Sequence, residues 1–442
     1  MRCTPIPYEE QSLTLSQELP STNSPRALEG VRVLDISGPA GFYCTKLMAD
    51  LGADVVRVDP PESDPDHSPG PFFGDEPDEN QSLYRWHFHA NKRSVALDIS
   101  SAPDREVFDS LLAAADVLVD TLRPSEAQRL DLDAQTLRES HPALVHTTIT
   151  GFGTVGPYVD YKATDIVAQA MGGLMALTGY PEDPPNQVGG EQAYHVASLH
   201  AAVGTLMALL SRDLDGKGAD VQIALQDSIS MATLQTANFN AYTWLGVLRH
   251  RTGLNHAFSS QSKPTTARTY PPTLYQCLDG WIAYAQHADP PLAWQHFVEW
   301  LAEFGAEQEL ADPRFEDLEY RRERQWRIDI VLTEFAAQHT AQELYHSAQR
   351  YMLLCSPVQN VEDLTKDEQL RDREFFVDVE HPELDRSFKY PGAPYKLSET
   401  PWQLRRRAPL VGEHSREVLG DWLGLSDAQA EAMLAQGESG ND

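Results

Sequence analysis

The sequence predicts an α/β protein, with a large parallel-sheet domain joined to a smaller α+β domain. Two observations carry this. β-rich runs alternate with amphipathic helices through the first 150 residues. That grammar then changes at Tyr270, where an aromatic-rich stretch reads as an antiparallel hairpin. At 442 residues the chain is too long for a single core.

VRVLDI (31–36) is the first β-rich run, and GPAG (38–41) breaks it. FYCTKLMADLG (42–52) then spaces Tyr43, Leu47, Met48 and Leu51 along one helical face and stops at a glycine. DVVRV (54–58) completes a βαβ unit. The pattern repeats as DREVFDSLLAAA (104–115) runs into DVLVD (116–120), and a further strand is expected at ALVHTTI (143–149). Such alternation implies a parallel sheet covered on both faces. YPPTLYQCLDGWIAYAQ (270–286) is expected to turn at Asp279-Gly280 and to be followed by helices up to about residue 350. The expected organisation is a loose arm over 1–25, the first part of the large domain over 26–234, a linker over 235–269, a small domain over 270–355, and a return to the large domain over 356–442. There is no internal repeat or low-complexity tract.

Composition narrows the function. Hydrophobic residues at 41% and charged residues at 23% are the balance of a soluble globular protein, and no uninterrupted apolar run reaches bilayer length. The first 25 residues lack the basic start and apolar stretch of a secretion signal, so a cytoplasmic location is expected. Cys3, Cys44, Cys277 and Cys355 lie far apart, which argues against a zinc cluster or a disulfide framework. A net charge of −31 repels nucleic acid and anionic membranes, so an anionic ligand needs a local basic pocket.

Several segments bear candidate chemistry. The strand–GPAG–helix unit, with Asp59 about twenty residues beyond it, outlines a Rossmann-like dinucleotide site. However, the three-glycine pattern is absent and Pro39 removes one N–H from a phosphate cradle. HANKRSVALDIS (89–100) carries adjacent bases, and TLRPSEAQR (121–129) sets Arg123 and Arg129 just after a strand end, where α/β proteins hold ligands. Each base alone also reads as an ordinary solvated side chain. Asp165 stands at a helix start with Gln169 one turn further on; it is either an acid–base group or a cap favourable to the helix dipole.

Taken in order, LEGVRVLDIS, AGFYCTKLMADLGADVVRV, NKRSVALDIS, ITGFGTVGPY, TDIVAQAMGGLMALTG, DPRF and APLVGEHSREVL resemble the family III CoA-transferases from residue 28 to about 419. The resemblance implies a ring-shaped chain of Rossmann-like and smaller domains threaded through its partner in an interlocked homodimer or heterodimer. It implies acyl-CoA and a small carboxylic acid as substrates, with no permanently bound cofactor. CoA contacts carry over to Ala40, Leu97, Asp98, Ile99, Ser100, Thr121, Leu122, Arg123, Arg129 and Lys162, with Asp165 beside them. In this family an Asp carboxylate attacks the thioester, becomes a mixed anhydride and then an enzyme thioester, and hands CoA to the acceptor. Counted from Thr178-Gly179 to Ser198-Leu199-His200 without a gap, that Asp falls on Tyr194. A phenol of pKa about 10 cannot become that anhydride. The resemblance therefore leaves two forms of transferase: one that uses a displaced carboxylate, Glu191 or Asp165, with Tyr194 and His195 assisting, and a CoA-binding subunit whose partner supplies the Asp. A CoA-ester isomerase or racemase and a plain CoA-ester binding protein are further alternatives. The racemase His is replaced by Thr164.

Overall fold

Short valine- and leucine-rich runs become strands because their alternate residues can be buried on opposite faces of one sheet. A computed structural model shows this for the described residues, which are 25–61, 70–74, 77–180, 182–233, 236–248, 251, 273–284 and 291–438. The expected arm over 1–25 lies almost wholly outside them.

Two compact units divide the chain. One takes the described residues within 17–174, 187–235 and 368–442, and the other those within 175–186 and 236–367. The first begins β1 (Arg32–Asp35), α1 (Pro39–Asp50), β2 (Asp54–Asp59), α2 (Leu83–His89) and β3 (Arg93–Ala96). It continues α3 (Ala102–Ala114), β4 (Val117–Asp120), α4 (Pro124–Arg129), α5 (Ala134–Ser140) and β5 (Val145–Thr150). Then come α6 (Asp165–Met171), α7 (Gln192–Asp215), β6 (Asp220–Ala224) and α8 (Leu225–Thr233). The six strands form one parallel sheet in the order β3-β2-β1-β4-β5-β6. The α/β class and parallel sheet expected from the sequence are both present.

Strand alternation supplies two cores. Val33, Val55, Val117 and Val145 pack beneath α1 and α7, while Leu34, Val56, Val95 and Leu118 pack on the other face beneath α3 and α5. Helix α1 starts at Pro39, whose missing N–H costs nothing in a first turn, and is followed by Gly52 at φ 103°, a left-handed position suited to glycine. Strand order reverses about β1, with β2 and β3 to one side and β4 to β6 to the other, and in sheets of this type ligands bind in the crevice at the carboxyl ends of the strands flanking such a point, here β1 and β4.

The second unit holds α9 (Thr236–Leu245), β7 (Leu274–Gln276), β8 (Trp281–Tyr284), α10 (Pro291–Glu303), α11 (Leu318–Glu323), α12 (Gln325–Ala336), α13 (Ala341–Arg350), β9 (Cys355–Pro357) and α14 (Val361–Lys366). β7 and β8 form the expected antiparallel hairpin around Gly280, and Trp300, Phe335 and Leu344 centre the core. Residues 236–245, read from the sequence as the start of a linker, are helical, and most of the remaining 235–269 lies outside the described residues. The chain then returns to the first unit as α15 (Glu368–Asp372), the antiparallel pair β10 (Phe376–His381) and β11 (Arg386–Pro391), α16 (Ser415–Leu423) and α17 (Asp427–Glu438).

The expectation that no run reaches bilayer length needs one amendment. The 24 residues of α7 are long and apolar enough to cross a membrane by length and composition. Here α7 is a core helix, with Ala193, Ala197, Ala201, Ala208 and Leu209 buried against the sheet.

Candidate active site

The crevice is framed by loops whose positions are fixed from below by a buried ionic network. Asp35, at the end of β1, accepts from Ser37 N and Oγ (3.0 and 2.6 Å), Thr45 Oγ1 (2.7 Å), Arg57 Nη1 (3.3 Å) and Lys92 Nζ (3.0 Å). Burial alone raises a carboxyl pKa, but Lys92 and Arg57, helped by the two hydroxyls, outweigh it and hold Asp35 at about 2. Asp59, at the end of β2, is bound by Arg85 Nη1 and Nη2 (3.0 and 2.6 Å), Arg57 Nε (3.3 Å) and Ser94 Oγ (2.5 Å).

These contacts correct two expectations. Asp59 is 1% exposed and saturated, so it cannot hold a ribose, and the dinucleotide reading falls with it. Lys92 and Arg93, the adjacent bases of HANKRSVALDIS, are buried and not solvated: Lys92 serves Asp35, and Arg93 pairs with Asp54, Glu417 and Asp421. A strand acid closing an apolar run, as in VRVLDI, was the available signal for Asp35 and its buried partners.

Above this base, the remaining positions gather at strand ends. Ala40 lies in the first turn of α1, and its carbonyl accepts from Ser198 Oγ of α7 (2.6 Å). Thr121 Oγ1 accepts from Gly38 N (2.7 Å), joining the loops after β4 and β1. Leu97, Asp98, Ile99 and Ser100 turn from β3 into α3, with Asp98 accepting from Ser100 N and Oγ (2.9 and 2.5 Å). Leu122 N donates to Asp120 (2.9 Å), and Arg123 pairs with Glu126 and donates to Asp160 O (3.2 Å). Arg129 ends α4, and Lys162 stands in the loop after β5. Both are exposed, and Arg129 lies close enough to Glu126 for its charge to help hold that carboxyl below its usual range.

The head of α7 carries the candidate nucleophiles. Asp165 is 5% exposed, and both of its oxygens are occupied: Ala193 N donates to one (2.7 Å), and Gln169 and Gln187 Nε2 to the other (2.6 and 3.1 Å). It thus tethers the first turn of α7 to α6. Tyr194 is half-buried, and desolvation pushes its phenol above the ordinary value. Glu191 is the N-cap of α7 at φ 53°, ψ 47°, a left-handed conformation that costs a non-glycine residue on the order of 1 kcal/mol. Its carboxylate accepts from Tyr84 Oη (2.8 Å), and its carbonyl accepts from His195 Nδ1 (2.9 Å). The His195 ring in turn packs on Tyr43 and Phe88, with centroids 5.3 and 5.8 Å away. Sequence reasoning missed Tyr84, because nothing local to QSLYRW marks a partner 107 residues away.

The CoA-transferase family III model matches residues 28–415. The chain belongs to CoA-transferase family III. Among relatives of this CoA-transferase, succinyl-CoA:(R)-benzylsuccinate CoA-transferase subunit BbsE of Thauera aromatica is 34% identical, over 88% of this chain and 92% of its own. Succinyl-CoA:mesaconate CoA-transferase of Haloarcula hispanica is 32% identical, over 89% and 96%. The crystal structure of a CAIB/BAIF family protein from Brucella suis superposes with a TM-score of 0.76 at 26% identity, covering 90% of this chain and 99% of that one. As a CoA-transferase, the protein moves CoA between an acyl-CoA thioester and a carboxylic acid.

Proposed function

We propose that this CoA-transferase takes the thioester of a short dicarboxylic acid, of the succinyl-CoA kind, and that Glu191 is the carboxylate that carries the exchange. The donor class is supported by four relatives with succinyl-CoA in their names. The observation behind Glu191 is its position: a strained N-cap three residues before Tyr194, its carboxylate held by Tyr84 where the helix dipole favours negative charge. Asp165, whose oxygens are saturated, is a tether in this reading, and Tyr194 and His195 are polar wall.

The steps balance. A Glu191 oxygen attacks the thioester carbonyl, the C–S bond breaks, and CoA leaves as thiolate from a mixed anhydride. The thiolate attacks the Glu191 carbonyl, releasing the donor acid and leaving an enzyme thioester. The acceptor carboxylate displaces CoA from it, forming a second anhydride. The thiolate then attacks the acceptor acyl carbon, which yields the new CoA ester and frees Glu191. Residues 97–100, Thr121, Leu122, Arg123, Arg129 and Lys162 bind CoA in this reading, with Ala40 at the thioester end.

A second reading has a specific observation behind it: the Thauera relative is named as a subunit. In that form the chain pairs with an Asp-bearing paralogue and contributes CoA binding. Trapping decides between the two. Purified chain incubated with succinyl-CoA is treated with hydroxylamine or borohydride and its peptides are mapped by mass. An adduct on Glu191, lost in Glu191→Gln, supports the first reading. Absence of any adduct, with exchange appearing only after mixing with the paralogue or in Tyr194→Asp, overturns it in favour of the second.

A further inference from the structure

The loop that follows β5 carries, besides Lys162, two tyrosines that the transfer steps leave unused. Residues 151–163 close on themselves: a Cβ added at Gly151 would lie 2.4 Å from Ala163 Cβ, so the two ends of the loop pack together. Tyr161 N donates to Tyr158 O (2.9 Å), closing a four-residue turn that brings the two rings to 5.2 Å with 34° between their planes. Phe152 braces both, at 5.7 and 6.5 Å. The tyrosines nevertheless remain 42% and 60% exposed, a solvated aromatic face on a chain of net charge −31. The turn is also pinned to the crevice, because Asp160 accepts from Arg123 Nη1 through its carbonyl (3.2 Å) and from Ser125 N through its carboxylate (3.0 Å). Lys162 follows directly, and Arg129 lies one short helix beyond Arg123.

We propose that Tyr158 and Tyr161 form a stacking platform for the adenine ring of CoA, set beside the cations that meet its phosphates. This inference rests on the reading of Arg123, Arg129 and Lys162 as CoA contacts. An aromatic face binds a base through its π-surface, and the adjoining cations suit a ligand that joins a base to three phosphate groups. Pantetheine has neither feature, so the platform acts on the nucleotide end alone.

Calorimetry on the full chain tests it with CoA, adenosine 3′,5′-bisphosphate and pantetheine as probes. Tyr158→Leu/Tyr161→Leu should weaken CoA and the bisphosphate by about tenfold or more and leave pantetheine unchanged. Tyr158→Phe/Tyr161→Phe, which keeps the rings, should retain wild-type affinity. Unchanged bisphosphate affinity in the leucine variant overturns the platform, as does a changed oligomeric state without loss of nucleotide affinity, which would mark the rings as an interface. Arg123→Ala/Lys162→Ala separates the two claims. If it weakens CoA while the leucine variant does not, only the platform fails; if it leaves CoA affinity intact, the underlying site reading fails and the platform with it.

Discussion

Tyr84 and Asp35 show how single side chains set this crevice. Tyr84 donates one hydrogen bond to Glu191, and a bond to a charged acceptor is worth about 1.5–3 kcal/mol. Tyr84→Phe should therefore lower kcat by about tenfold or more with KM for acyl-CoA little changed, and should reduce the trapped Glu191 adduct in parallel. A KM effect alone would assign Tyr84 to substrate binding instead. Asp35 offers an acid-stability prediction with a definite sign. Its folded pKa, about 2, lies below its ordinary value of 3.8, so the stability it contributes is present above pH 4 and is lost as pH falls toward 2. The contribution is on the order of 2 kcal/mol. Asp35→Asn should flatten that part of the acid-unfolding profile and cost about 3–5 kcal/mol at neutral pH, since it leaves Lys92 buried without its carboxylate. Denaturant melts across pH would check both.

Helix α7 has two faces with different partners. Its alanine face lies in the core, where small side chains allow close approach to α1 and the sheet. On its other side Leu199, Val203, Met207, Leu210 and Leu214 recur every three or four residues and are 45% to 85% exposed. An exposed apolar stripe of this kind is a candidate protein interface, and a dimer formed through it is the expectation to test. Met207→Glu, at the middle of the stripe, should leave the unfolding midpoint of the isolated chain nearly unchanged while shifting sedimentation toward monomer. A variant that sediments as wild type would remove α7 from the interface.

Across the whole molecule, acidic residues outnumber basic ones by 66 to 35. The net charge of −31 lowers the local concentration of anions, so CoA must be drawn in by a few bases close to the crevice. Arg129 and Lys162 are exposed, whereas Arg85, Lys92 and Arg93 are buried in ion pairs inside the fold. Exposed and buried bases thus differ in what they can do: the first remain open to solvent, and the second stiffen the strand ends.

The sequence by itself determined the α/β class, the βαβ grammar and the hairpin at Gly280, because burial periodicity and glycine stops are written locally in runs such as VRVLDI and DVLVD. Motif order also nominated the loops after β1, β3, β4 and β5 and exposed the tyrosine at position 194. It could not place Asp59, Lys92 and Arg93, since a sequence shows that a residue is charged but not which neighbouring strand will bury it. Strand order decided that: β2 between β1 and β3 brings Asp35, Arg57, Asp59 and Lys92 into one network. Tertiary structure alone brought Tyr84 to Glu191, saturated Asp165 and turned Tyr158 and Tyr161 outward beside Arg123. Hydrogen bonds between residues far apart in the chain depend on the register and direction of whole elements, and periodicity along the chain does not encode these.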